Sequence, residues 1–203
     1  MMSLLQILVC VYLVKLLNFM LCCMMVNPSK NSFFYFAYGS NLLKKRILIN
    51  NPSAIFLGTG CLKGYKVDFV KFCKLWGGAV ATIVPSNTDH VWGAVWKMDN
   101  DSIVTLDRQE GVDIKEYFPI IVDVDIGNGK NVKCRTYQNH CVPPVRESGE
   151  RLPRDRRPSI TYKECIIRGA IECQLPDEYI DKFRKIPSNG KFGSTTIREK
   201  LNL

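Results

Sequence analysis

Two stretches of this 203-residue chain combine residue types that can do chemistry. The first is Tyr35-Phe36-Ala37-Tyr38-Gly39-Ser40-Asn41-Leu42. An aromatic, extended run breaks there at Gly-Ser-Asn and continues as an apolar helical pattern through Leu43 and Ile47, stopping at Asn50-Asn51-Pro52. Ser40 or Asn41 is expected to cap that helix, and Gly39 lets the backbone turn without obstruction. The first free N–H groups of the helix then point outward beside a glycine gap, where a carboxylate or a developing oxyanion is favoured. The same octapeptide also reads as an ordinary capped strand-to-helix turn.

The second stretch is Leu106-Asp107-Arg108-Gln109-Glu110-Gly111-Val112. It closes a helical pattern that starts at Asn100-Asp101, with Ile103, Val104 and Leu106 on its apolar face. Glu110 stands just before the glycine that ends the helix. A helix C-terminus disfavours negative charge by roughly 0.3–1 kcal/mol, which nudges the carboxyl pKa upward. Such a glutamate can serve as a base, or it can be a solvated surface residue.

The elements that must position these residues are mostly short β-like runs. Ala54 to Leu57 and Tyr65 to Val70 flank a Gly58-Thr59-Gly60 break, Ala79 to Val84 follows Gly77-Gly78, and Val91 to Met98 places Trp92 and Trp96 on one face. Tyr117 to Asp125 reaches Gly127-Asn128-Gly129, a hairpin signal, and Asn131 to Tyr137 returns. Tyr162 to Cys173 and Pro176 to Ile186 read as helices, and Ser188 to Leu203 as a frayed, basic tail. Many antiparallel-style strands with few helices predict an α+β fold, a small closed or strongly curved barrel with helices laid against it.

Taken together the two stretches resemble the gamma-glutamylcyclotransferase family. The resemblance runs from about Phe33 to about Ile186. It also rests on Asn51-Pro52-Ser53-Ala54, Gly77-Gly78-Ala79-Val80-Ala81-Thr82-Ile83 and Val91-Trp92-Gly93-Ala94-Val95-Trp96-Lys97-Met98. It implies a small mixed or antiparallel β-barrel with flanking helices, a homodimer, a cytoplasmic catalytic domain and no cofactor. It implies that Glu110 is the catalytic glutamate and that Tyr35, Phe36, Ala37, Tyr38, Gly39, Ser40 and Asn41 form the substrate-binding loop. Tyr162 matches a substrate-contacting tyrosine, and Tyr117 and Tyr137 fall where further pocket tyrosines are expected. Two departures stand out: Arg108 replaces an acidic residue two positions before the glutamate, and an arginine-rich loop precedes Tyr162. An inward-facing Arg108 would lower the pKa of Glu110.

The implied reaction is the cyclisation of γ-glutamyl amino acids in glutathione-linked metabolism, releasing 5-oxoproline and a free amino acid. A γ-glutamylamine donor is the alternative within that chemistry, and a non-catalytic γ-glutamyl or 5-oxoproline binder is the alternative outside it.

The chain divides into an apolar extension (1–30), a catalytic domain (31–187) and the basic tail (188–203). Met1 to Val26 is long enough to span a bilayer but is interrupted by Gln6, Lys15 and Asn18, and Lys15 costs on the order of 2.5–3.5 kcal/mol at mid-membrane. It lacks the basic start and cleavage site of a secretory signal. A membrane anchor, a loosely attached helix and an extension dispensable to catalysis all remain open. The net charge of +9 is scattered, densest at Arg146 to Arg157 among Glu147, Glu150 and Asp155, so it predicts a solvated basic face and no nucleic-acid site. Nine cysteines with no Cys-x-x-Cys pair, and only two separated histidines, predict no metal framework and thiols suited to a reducing compartment.

Overall fold

The computed structural model describes residues 31–144 and 150–203, so the apolar extension and part of the basic loop lie outside the described residues. Five strands close a barrel: β1 (Ser32–Ala37), β2 (Ile55–Cys73), β3 (Gly78–Asp99), β4 (Tyr117–Asp125) and β5 (Asn131–Asn139). Their order around the barrel is β1-β3-β2-β4-β5. Every neighbouring pair is antiparallel except β1 with β5, which meet in parallel at Tyr35 and Arg135. The mixed barrel with flanking helices is therefore the fold that the strand-rich pattern predicts.

The strands differ in length from the sequence reading. Four expected short strands fuse into two long ones, β2 and β3, joined by a tight turn at Lys74 to Gly77. Gly58 and Gly64 lie at shifts in the β2–β3 register and take φ of +150° and +79°. Glycine bends the strand there into a bulge while the ladder continues beyond it.

Helices α1 (Lys44–Leu48), α2 (Ser102–Glu110), α3 (Ile160–Glu172), α4 (Asp177–Lys185) and α5 (Thr195–Leu201) lie against this sheet. Ser159 caps α3 by accepting from the Tyr162 amide at 3.0 Å, which fixes the first turn on which Tyr162 sits. Gly169 in α3 allows that helix to approach the Gly-Ser-Asn turn closely. A Cβ there would come within 2.3 Å of the Leu43 amide nitrogen. The buried thiols of Cys165 and Cys173 donate from the same helix to the carbonyls of Ser40 and Leu42. Burial pushes both thiols up to about 12, so they stay protonated donors.

Two expectations fail for stated reasons. Residues 188–203 do not fray. Ser194 caps α5, Ile197 and Leu201 are buried, and Asn189 donates to the Gly77 carbonyl at 2.9 Å. The apolar residues of that segment are few but lie four apart, on one helix face. The basic loop is likewise not uniformly solvated, because Arg156 is buried and pairs with the buried Asp68 of β2 at 2.7 Å. Its Nε also donates to the Phe69 carbonyl at 2.9 Å. This pair ties the segment before α3 to the barrel wall.

Removing one member of a buried pair strands the other's charge, which typically costs about 3–5 kcal/mol. Asp68→Ala should lose stability of that order in urea unfolding, whereas Asp155→Ala, on an exposed carboxylate of the same segment, should change it by less than about 0.5 kcal/mol.

Candidate active site

The end of β1 and the end of α2 meet. Asn41, in a single 3-10 turn at Ser40–Leu42, donates from Nδ2 to the Glu110 carboxylate at 3.0 Å and to the Tyr35 hydroxyl at 2.9 Å. The turn's own backbone bonds run from Leu42 to Gly39 and from Leu43 to Ser40, so it does not use the amides of Ser40 and Asn41. The expected side-chain cap is absent: neither Ser40 nor Asn41 caps a helix, and Leu43 is extended between the turn and α1. Asn41's side chain holds the carboxylate instead. Gly39 has φ of −116°, so its value lies in space: a Cβ there would approach the Tyr162 hydroxyl to 3.3 Å.

Around this junction lies a recess enclosing about 320 Å³, its open mouth included, walled by Tyr35, Tyr38, Tyr117, Tyr137 and Tyr162 with Gly39, Ser40, Asn41 and Glu110. Tyr117 donates to the Ala81 carbonyl at 2.7 Å, and Tyr38 to the Tyr137 carbonyl at 2.6 Å. The Tyr162 hydroxyl accepts from the Ala81 amide at 3.1 Å, and the Tyr35 hydroxyl accepts from Asn41. Those two phenols thus keep their own protons for a ligand. Burial, reinforced by the nearby Glu110 charge, raises the pKa of Tyr35, Tyr38, Tyr117 and Tyr162, so they act as neutral donors.

Burial also raises the pKa of Glu110. Arg46 opposes it through its charge, Gln109 and Asn41 oppose it by hydrogen bonding, and Asp107 adds to it. Desolvation wins, leaving a carboxylate more basic than an exposed one. The C-terminal placement is as expected, with Gly111 taking φ of +67° in a left-handed cap. Arg108 is exposed, and the cation acting on Glu110 is Arg46 of α1.

The structure gathers most of the expected site residues and separates two. Phe36 and Ala37 are fully buried in the barrel core and do not line the recess. Their strand pairs with Val95 and Ala94, so a contiguous motif supplies both pocket and core. Sequence reasoning missed the supporting shell. Gln109 donates to Asn41 Oδ1 at 2.9 Å and accepts from Arg46 at 3.1 Å. Asp107 accepts from Tyr137 at 2.5 Å and from Arg135 at 2.6 Å, fixing the Tyr137 ring. The i, i+3 spacing of Asp107 and Glu110 was the available signal. Among the described residues no cluster of three or more His, Cys, Asp or Glu could hold a metal ion.

A closed five-stranded barrel places the Glu110 carboxylate in a recess it shares with the Gly39–Asn41 turn, and residues 90–183 match the profile of the AIG2-like family. The chain is 43% identical over 169 residues to gamma-glutamylcyclotransferase of Bos taurus, covering 81% of this chain and 84% of that protein. It is 41% identical over 173 residues to gamma-glutamylcyclotransferase of Homo sapiens, covering 83% and 86%. A solved structure of a gamma-glutamyl cyclotransferase superposes with a TM-score of 0.74 at 39% identity, over 84% of this chain and 98% of that one. The chain belongs to the gamma-glutamylcyclotransferase family.

Arg46→Met removes the largest influence that holds the Glu110 pKa down. The carboxyl titration of Glu110, followed by ¹³C NMR, should move to higher pH in that variant, and an unmoved curve would show that the guanidinium is not felt at the carboxylate.

Proposed function

We propose that the chain cyclises γ-glutamyl amino acids, releasing 5-oxoproline and a free amino acid without a cofactor. The observation that carries this reading is the Glu110 carboxylate, desolvated and held by Asn41 against the Gly39–Asn41 turn. The family relationship supports it.

A γ-glutamyl amino acid brings its own nucleophile, an α-amine that reaches the side-chain amide carbonyl through a five-membered ring. At neutral pH that amine is ammonium and inert. Glu110 takes one proton from it, and the freed nitrogen attacks the carbonyl carbon to form the ring C–N bond. Negative charge on the carbonyl oxygen faces N–H donors of Ser40 and Asn41 and the free phenol protons of Tyr35 and Tyr162. Each well-placed donor contributes on the order of 3 kcal/mol in comparable sites. The amide C–N bond then breaks, and Glu110 hands its proton to the departing nitrogen. The ring nitrogen gives up its second proton in the same direction, so the amino acid leaves as an ammonium and Glu110 returns to carboxylate. A recess that folds the substrate on itself supplies the proximity on which cyclisations depend.

A raised Glu110 pKa suits this role, because a more basic carboxylate competes better for an ammonium proton. We carry the remaining implications of the resemblance as proposals: a glutathione-linked γ-glutamyl substrate, a cytoplasmic setting and a homodimer. The six described cysteines are free thiols, which accords with a reducing compartment. Among the described residues no helix is long and apolar enough to cross a membrane, and the 1–26 anchor question lies outside them. Sedimentation of the full chain tests the dimer.

Glu110→Gln should lower 5-oxoproline release from γ-glutamylalanine by about 10²–10⁴-fold. The wild-type acidic limb of kcat/KM should lie above the ordinary carboxylate range. Unchanged turnover in the variant removes the mechanism, and no 5-oxoproline from any γ-glutamyl dipeptide removes the function. The same substitution has a stability signature of fixed sign. Because the folded pKa is raised, the native state binds more protons between the two pKa values, and the wild type loses stability as pH rises through the folded one. Glu110→Gln lacks that loss, so its Tm at pH 7 should equal or exceed the wild type's.

A further inference from the structure

A wider groove of about 1010 Å³, its open mouth included, shares Ser40, Glu110, Tyr117 and Tyr162 with the tyrosine-walled recess. If a γ-glutamyl group fills the smaller space, as proposed above, its scissile amide lies at this shared wall. The amino acid beyond the amide must then extend into the groove.

The groove's other walls are the β2–β3 turn, α1 and the end of α2, and they bring cations together. Lys71 is already paired with Glu116. Arg46, Lys74 and Arg108 also line the groove, and among the described residues none of the three has a carboxylate within ion-pair distance. Arg46 is only 8% exposed, is hydrogen-bonded through Nη1 to the neutral Gln109, and has a buried Nε with no partner. Glu110 feels this guanidinium only across Gln109, and no carboxylate among the described residues touches it, so an incoming carboxylate can pair with it directly. Lys74 and Arg108 stand exposed at the rim, where they attract an anion over a longer range.

We propose that this groove is the subsite of the departing amino acid and that it selects leaving groups bearing a second carboxylate, bound by Arg46, Lys74 and Arg108. The α-carboxylate of any leaving amino acid occupies one cation. A side-chain carboxylate engages the others.

The test compares γ-glutamylglutamate with γ-glutamylglutamine on the full chain, a pair matched in shape and different by one charge. At low ionic strength kcat/KM should favour the glutamate substrate by about threefold or more, a preference that about 0.5 M salt largely removes. In the double variant Lys74→Glu, Arg108→Glu the ratio should fall to one or below. Both residues are exposed, and the hydrogen bonds that hold Glu110, Asn41, Gln109 and Arg46 together do not involve them, so the fold does not depend on their charge. A wild-type ratio near one, or a double variant that loses both substrates equally, overturns the subsite. Absence of 5-oxoproline from both substrates instead overturns the cyclotransferase reading on which the subsite rests.

Discussion

The hydrogen bond between Asn41 and Glu110 joins residues 69 positions apart, and it is the barrel topology that brings them together. β1 and β3 are antiparallel, with Ser32 opposite Asp99 and Ala37 opposite Ala94. The chain therefore leaves β3 at the start of β1, where the Asn100 amide bonds to the Asn31 carbonyl at 2.9 Å. α2 must double back alongside the barrel to reach the other end of β1. Nine helical residues rise about 12 Å, and six strand residues span about 17 Å. A turn on β1 and a cap on α2 close the remaining gap. Lengthening or shortening α2 by one residue would rotate Glu110 by about 100° and break the contact.

Holding a carboxylate in a partly buried recess poses a second constraint, because whatever keeps it ionised also lowers its basicity. A cation in direct contact would do both strongly. The site uses neutral amides at contact distance, Asn41 and Gln109, and keeps Arg46 one residue further out, behind Gln109. The balance falls on the side of raised basicity, with Asp107 contributing in the same direction. The tyrosines complete the arrangement. Being neutral, they add donors to the walls without adding a charge that would shift the balance again.

Much of this was legible in the chain. A strand breaking into Gly-Ser-Asn, a glutamate before a capping glycine and tyrosines on flanking strands are local signals, and local signals survive in one dimension. Three features were not legible. The bulges at Gly58 and Gly64 read as strand ends because glycine punctuates both breaks and bends. The helix at Thr195–Leu201 read as tail because it is short and polar, and the residues leading into it, Gly193 and Ser194, are anchored by hydrogen bonds to Thr161 and Leu75 that no window contains. Phe36 and Ala37 read as pocket residues because the motif is contiguous in sequence, whereas only part of it borders the recess and these two are packed wholly into the barrel core.

Arg108 shows the same limit acting on charge. Two positions before Glu110 it looks close enough to depress the carboxyl, yet residues two apart on a helix are turned about 200° from each other and do not face. Asp107, three positions before, shares the face of Glu110, and Arg46, 64 positions away in the chain, lies nearer in effect than Arg108 does. Arg108 lines the wider groove from the exposed side of the helix, while the cation foremost among the influences on the Glu110 carboxyl is Arg46. Helical phase thus turns Arg108 and Glu110 to different sides of one short helix, so a charge two positions from the carboxyl in sequence is not its nearest electrostatic neighbour.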